Sequence, residues 1–527
     1  MILFLTPPFV QLNTPYPATA SLVGFLSARG HACTQRDLSI EVALDVLRAY
    51  GDEFVDEAIE ILQNPHLPAE AKVETTAYMD ELALWIRDHV DADFGFSRYA
   101  ERLGVALPSF GPLLRRLRRH SPIDRMLEAR VAAHLEAVRP EVVGVTCPFP
   151  GTLLGAFRIA ETVRRLAPSV RLVLGGGYVN TELRALDDAR VGRYFDAVMY
   201  DEGYVPWLEF LGGCGGAAVP AFVKPSYAGL DLSLYMDLPE SENPMHRLWS
   251  TGRWLKLQMA RGCYWHKCAF CDVTLDYIKC FEMPDAAALV DAMEALACEA
   301  GPAACPPEGP GFHFTDEAMP PALVERMCRE ILRRKFRCRW WGNVRFDAAF
   351  TPARARLMAR AGCIAVTGGL ECAVDRLLKL MRKGITLASA RTVLAAFRDA
   401  GVLVHAYLMY GFPTETEREA VAALGHVRRL FREGLVQSAF FHRFALTVHS
   451  PIARDPAAFG IRVRAPAAAP GRRRPVFARN EIPFEEPGAP DWDRIGKGLR
   501  LALYNYMRGA GLSKPLAFWF ARTDPRP

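Results

Sequence analysis

Short apolar runs that close on glycine or a small polar residue alternate with helix-period stretches in two separate parts of the chain, residues 1–211 and 251–458. In the first part Ile2–Leu5, Val142–Cys147, Arg171–Leu174 and Ala197–Tyr200 read as strands, and Ala18–Arg29 and Leu153–Leu166 as helices. Continuous apolar strands belong to a parallel sheet covered on both faces. The residues that follow them, Thr6–Phe9, Thr146–Phe149, Gly175–Tyr178 and Asp201–Gly203, mark the carboxyl edge, where such sheets carry a ligand crevice. From about 42 to 138 the pattern is helical without comparable strands, an insertion expected to act as a lid or spacer. Residues 212–250 shift to Gly, Pro, Ser and Asp, as a linker does. Six further strands are expected at Leu255–Gly262, Phe312–Glu317, Cys338–Arg345, Ile364–Glu371, Leu403–Phe412 and Ser438–Thr447, alternating with helices. Their polar residues gather at the carboxyl ends, where parallel (β/α) barrels place their chemistry. Residues 459–527 are Pro/Arg-rich and then helical from Trp492 to Met507, a capping region.

At 527 residues the chain has material for about three domains. A net charge of +5 over that length gives no nucleic-acid field. Arg115, Arg116, Arg118 and Arg119 are expected on the wet face of a helix, and Arg472 to Arg474 in a solvated loop. No apolar run reaches the roughly 20 residues that span a bilayer. The odd count of 13 cysteines, without disulfide-like spacing or an amino-terminal leader, points to a reducing cytoplasm.

Composition becomes chemistry at Arg-Gly-Cys-Tyr-Trp-His-Lys-Cys-Ala-Phe-Cys-Asp, which packs Cys263, Cys268 and Cys271 into nine residues. Thiolates this close share a soft metal centre, and three ligands leave one metal position open to a non-protein group. A structural zinc knuckle needs a second cysteine pair, and the other cysteines are scattered singly; Cys280 or His266 remains an alternative fourth zinc ligand.

The chain resembles radical SAM enzymes, in particular those with an amino-terminal cobalamin-binding domain, over nearly its whole length. The resemblance is carried by Pro7-Pro8-Phe9, Gly175-Gly176-Gly177, Asp201-Glu202-Gly203, the text PSYAGLDLSLYM from Pro225 to Met236, the cysteine loop, and Phe314-Thr315-Asp316-Glu317. Trp341–Asp347, Gly368–Glu371, Lys379–Thr386 and Met409–Thr416 continue it in order. It implies a flavodoxin-like (Rossmann-type) cobalamin-binding α/β domain, a partial (β/α)6 TIM-like radical SAM barrel and a small, mostly helical carboxyl-terminal region. It further implies that Cys263, Cys268 and Cys271 hold a [4Fe–4S] cluster whose open iron takes S-adenosylmethionine. By the same resemblance Phe270 neighbours the adenine, while Asp316, Glu317, Arg345 and Glu371 hold the amine, carboxylate and ribose of S-adenosylmethionine. A zwitterionic amino acid needs an anion and a cation side by side; ordinary ion pairing is the alternative for these residues. Pro7, Pro8, Thr146, Gly175, Gly176, Gly177, Glu202 and Gly203 are the cobalamin candidates, with tight strand-to-helix turns as the alternative for the glycines. No catalytic side chain is assigned.

The chain departs from the family in two places. The usual C-x3-C-x2-C becomes C-x4-C-x2-C, an insertion that loop closure tolerates cheaply. The D-x-H-x-x-G text that supplies a lower cobalt ligand is missing, since Asp37 is followed by Leu38-Ser39-Ile40-Glu41. Many radical SAM methylases share that absence, and a cobalamin-free domain would show it too. The implied activity is methylation of an unactivated carbon in a natural-product or peptide substrate, with an electron donor such as flavodoxin or ferredoxin, and no nucleic-acid or membrane partner. A non-methylating rearrangement, oxidation or peptide modification is the second expectation, and a cobalamin-binding sensor the third.

Overall fold

The carboxyl ends of two parallel sheets, one from each half of the chain, face one another across a crevice. The computed structural model describes residues 1–104, 109–213, 218–239, 249, 252–301, 308–464 and 475–521; Arg472 to Arg474 lie outside them. The first sheet contains β1 (Ile2–Thr6), β2 (Cys33–Asp37), β3 (Val142–Thr146), β4 (Arg171–Gly175) and β5 (Ala197–Val198), all parallel, in the order β2-β1-β3-β4-β5. This is the flavodoxin-like order, whose switch point lies between β1 and β3. Leu3, Leu5, Val143, Leu172 and Leu174 have no solvent exposure, as strands covered on both faces require.

β2 was not expected from its sequence Cys-Thr-Gln-Arg-Asp. It is an edge strand made by pairing to β1, and its central Gln35 is fully buried because the amide donates to Ser226 O at 2.8 Å.

Helix α1 (Pro17–Ser27) follows β1, and the insertion supplies α2 (Leu38–Tyr50), α3 (Val55–Gln63), α4 (Val73–His89), the single turn α5 (Glu101–Gly104), α6 (Gly111–Leu117) and α7 (Pro122–Val138) before α8 (Leu153–Leu166). Arg115, Arg118 and Arg119 are exposed, as a wet arginine face requires, and Arg116 is the exception. It is partly buried, donates to Asp93 at 2.7 Å and Asp124 at 2.8 Å, and with Arg158 and Tyr99 ties α6, α7 and α8 together. Charges this deep persist because each is paired and hydrogen-bonded.

The second sheet runs β6 (Trp254–Leu257), β7 (Gly311–Phe314), β8 (Arg339–Val344), β9 (Cys363–Glu371), β10 (Leu403–Tyr410) and β11 (Ser438–Arg443), all parallel and paired in chain order. Edges β6 and β11 do not pair, so the barrel is partial. The helix Trp492–Met507 lies beside β11, where Arg443 meets Asp493 at 2.9 Å and Arg500 donates to Tyr410 at 2.6 Å.

The expected linker is instead a packed seam over its described part. Tyr227 donates to Lys256 O at 2.8 Å, Tyr235 to Asp37 at 2.7 Å, and buried Lys72 of the insertion pairs with Asp237 at 2.6 Å. Among the described residues no helix is long and apolar enough to cross a membrane.

Candidate functional site

The cysteine loop leaves β6 and is fixed on three sides. Asp316, just past β7, accepts the amides of Met259 and Ala260 at 2.9 and 2.8 Å. Arg261 N and Cys263 N donate to Glu282 O and Ile278 O, both at 3.0 Å. At the far side Ala269 N donates to Met381 O and Trp265 Nε1 to Arg382 O, both at 2.9 Å. The positive φ of His266, 34°, turns the chain inside the longer first gap, and its Nδ1 lies 2.9 Å from Cys263 O.

Cys268 and Cys271 hydrogen-bond to each other. That bond, against the cost of burial and helped by Lys383 and Arg345, holds the Cys268 thiol below its ordinary value, while the same bond and burial push Cys271 up. Arg345 Nη1 lies 3.9 Å from Cys268 Sγ, and Lys383 pairs with Glu371 at 2.6 Å. Cys263 stands at the start of the loop, partly exposed. Among the described residues no three His, Cys, Asp or Glu side chains are gathered closely enough for a metal ion. The donor set nevertheless fits a thiolate-bound cluster: two sulfurs already meet, and two cations stand beside them to offset thiolate charge.

Phe270, Arg345 and Glu371 all border this loop. Lys383 Nζ stands 5.7 Å from the centre of the Phe270 ring, and the Arg345 guanidinium 4.4 Å from that of Trp265. Buried Lys383 received no role from the sequence; it was visible only as the lysine before Gly384 in a motif, while its partner Glu371 lies twelve residues earlier.

Asp316, one of the four residues expected around S-adenosylmethionine, turns to the protein's own backbone. Both its oxygens are engaged by main-chain N–H groups, and it is 1% exposed, so it braces the cysteine loop. Burial pushes its carboxyl up to about 7 against the lowering by the Met259 and Ala260 amides. The folded chain therefore keeps a proton that an unfolded aspartate loses above about pH 4. This contribution to stability is full below pH 4 and is lost as pH rises through 7. Asp316→Asn leaves one amide facing an NH2 group and is expected to cost about 1–3 kcal/mol in urea unfolding. It is also expected to flatten the rise of stability on acidification between those pH values.

On the other side of β6 lies a crevice of about 360 Å³. Thr146, Gly175, Gly176, Gly177, Glu202 and Gly203 line it from the first sheet, and Gln258, Tyr277, Thr315 and Glu317 from the barrel. Glu317 thus faces this crevice, and burial raises its carboxyl above the usual range. Pro7 and Pro8 do not line it; they pack on α8 at Gly155. Gly176, at φ 114°, has a packing reason of its own, since a Cβ there would lie 2.7 Å from the Cys147 backbone. Glu202 is bound by Arg261 at 2.8 and 3.0 Å through Nε, a bridge between the first domain and the cysteine loop.

Comparison with known proteins gives part of the chain a family match. Residues 257–427, from the end of β6 to the helix before β11, match the model of the radical SAM superfamily. The barrel is a radical SAM domain. Such a domain works with a [4Fe–4S] cluster and S-adenosylmethionine. The whole chain is similar in fold to the radical S-adenosylmethionine methyltransferase TsrM of Kitasatospora setae, solved with tryptophan substrate and a SAM analogue, at 16% identity and a TM-score of 0.55 over 96% of this chain and 89% of that one. It is also similar to the cobalamin-dependent radical enzyme OxsB, solved with aqua-cobalamin and S-adenosylmethionine, at 11% identity and a TM-score of 0.55, covering 95% of this chain and 66% of that one. Among curated proteins, an uncharacterised methyltransferase of Pyrococcus horikoshii is 22% identical over 57% of this chain and 66% of its own length. An anaerobic magnesium-protoporphyrin IX monomethyl ester cyclase of Rubrivivax gelatinosus is 22% identical over 55% and 54%. The chain therefore spans between about half and two thirds of these curated relatives. Outside the radical SAM domain, the first domain has the Rossmann-like fold of the cobalamin-binding enzymes.

Proposed function

We propose that this protein is a cobalamin-dependent radical SAM methyltransferase acting on an unactivated carbon of a natural-product or peptide substrate. The observation that carries the proposal is the shared crevice: the carboxyl edge of a flavodoxin-order sheet and the mouth of a radical SAM barrel line one space. When bound, the cluster with S-adenosylmethionine supplies a hydrogen-abstracting 5′-deoxyadenosyl radical, and cobalamin supplies the methyl group. Cys263, Cys268 and Cys271 would hold the cluster. Arg345 and Glu371 offer a cation and an anion to the carboxylate and amine of S-adenosylmethionine, with Lys383 paired to Glu371 at 2.6 Å. The wall Gly175–Gly177 lets a flat macrocycle approach the backbone, and the Glu202–Arg261 bridge keeps the two walls in register. Lys267, Lys379 and Arg382, around a groove of about 990 Å³ beside the cysteine loop, give this face a positive charge that suits an acidic flavodoxin or ferredoxin.

The test is made on anaerobically reconstituted protein. Methylation requires 5′-deoxyadenosine and S-adenosylhomocysteine in comparable amounts during turnover; 5′-deoxyadenosine alone replaces this reading with rearrangement or oxidation. A Cβ at Gly175 would make only ordinary contact, 3.6 Å from Met199 O, so Gly175→Leu fills the crevice without forcing the sheet apart. It is expected to lower retention of added hydroxocobalamin at least about tenfold with iron content unchanged. Equal retention by both proteins would place cobalamin elsewhere.

A further inference from the structure

Inside the barrel, below the layer just described, lies a second cavity of about 370 Å³. It falls within the range of about 300–1,000 Å³ typical of small-molecule sites. Its wall is unusually rich in rings. Trp254 begins β6, His313 and Trp341 pair across β7 and β8, Tyr407 lies on β10, and Trp249 completes the set. The imidazole of His313 stacks on Trp341 with ring centres 3.5 Å apart and planes at 10°, and Trp249 stands 4.9 Å from Trp341. The helical insertion closes the floor through Thr76 and Ala83 of α4.

Three observations separate this space from a packing defect. Tyr407 is 40% exposed although it lies in the middle of an interior strand, so its ring, edge-on to His405 at 4.9 Å between centres, still opens onto the empty volume. Trp341 Nε1 is buried and has no hydrogen-bond partner among the described residues. An unmet indole donor on a cavity wall is satisfied by an acceptor that enters the cavity. The wall is also neutral at its stacked pair, since burial and then Lys256 hold His313 well below its ordinary pKa. Such a surface favours flat π-systems, through offset stacking and edge contacts that a saturated ring cannot make. Hydrogen bonds tie the roof to the wall of the upper crevice. Tyr407 bonds to Thr367, Thr367 Oγ1 to Asn343, and Asn343 Nδ2 donates to Asp316 O at 2.9 Å, one residue from Glu317 in the crevice lining.

We infer that the lower barrel cavity receives a planar aromatic or heteroaromatic ring of the substrate, stacked among Trp341, Trp254 and Tyr407, with a hydrogen-bond acceptor directed at Trp341 Nε1. This deepens the methyltransferase reading and rests on it for the word substrate; binding of the ring is a property of the cavity itself.

The probes are 2-naphthol and its saturated counterpart decahydro-2-naphthol, titrated calorimetrically into the full-length, cluster-reconstituted protein. The aromatic compound is expected to bind at least tenfold more tightly. Ala83→Trp, which fills the floor, is expected to abolish binding, and Trp341→Phe and Tyr407→Ala to weaken it at least fivefold, with thermal melting confirming each fold. Equal affinity for the two probes, no binding of either, or unchanged binding in the folded Ala83→Trp protein overturns the inference. Failure of the methyltransferase reading shows differently, as missing S-adenosylhomocysteine in a protein that still binds naphthol.

Discussion

Cys268→Ala protein, reconstituted without oxygen, is expected to carry no [4Fe–4S] chromophore and to release no 5′-deoxyadenosine from S-adenosylmethionine. The same holds for Cys263→Ala and Cys271→Ala, because a cluster held by three protein thiolates has none to spare. Cys268 is the most telling of the three. It is the thiol placed against both Cys271 and Arg345, so its removal deletes a ligand and leaves the Lys383 and Arg345 charges facing an empty corner. Iron and acid-labile sulfide assays with absorption spectra read the result directly. Cys280→Ala is the matched control: that thiol points to Tyr277 O at 3.9 Å, outside the trio, and its loss should leave iron content unchanged. A Cys268→Ala protein that kept its brown colour would remove the basis of the cluster assignment, and a Cys280→Ala protein that lost it would revive zinc or an alternative fourth ligand.

The second large effect comes from a residue that touches no ligand. A methyl group at Gly262, which sits at φ 71°, would lie 1.4 Å from the carbonyl oxygen of Cys280. No side-chain adjustment relieves a clash with backbone, and an L-residue at that φ is strained besides. The neighbouring bonds from Arg261 N to Glu282 and from Cys263 N to Ile278 must then separate. Gly262→Ala is accordingly expected to lose cluster binding almost as completely as a cysteine variant, at a stability cost of about 1–3 kcal/mol from the two opened hydrogen bonds. Iron content and thermal melting of the apoprotein separate the two effects. Wild-type iron loading in Gly262→Ala would show that the contact with residues 278–282 does not position the cysteines.

What the sequence disclosed, and what it withheld, divides by the range of the interaction. The cysteine loop was legible because its ligands are local, and the strands because continuous apolar runs have few other uses. β2 was not, since its burial is conferred by a partner almost two hundred residues away, Ser226 against Gln35. The seam at Tyr227 and Tyr235 read as linker for the same reason: composition shows polarity, while packing depends on what lies opposite. Arg116 looked like a solvated charge because Asp93 and Asp124 reach it only after α6 and α7 have packed. Within the site, Thr146, Gly175, Gly176, Gly177, Glu202 and Gly203 reached the crevice as strand-end positions should. The structure added partners that no local pattern contains: Arg261 for Glu202, Lys383 for Glu371, and two backbone amides for Asp316.

The seam also sets an order of assembly. During synthesis the amino-terminal domain leaves the ribosome first, and residues 225–237 are laid along it before β6 exists, anchored at Asp37 and Lys72. β6 then forms against a finished wall, with Tyr227 already in place to meet Lys256 and Thr14 to meet Trp254 O at 2.5 Å. The radical SAM domain thus leans on the first domain along this seam. A gene fragment starting at residue 252 would expose the faces that this wall covers, so changes at Thr14, Asp37 or Lys72 should be felt in the barrel as well.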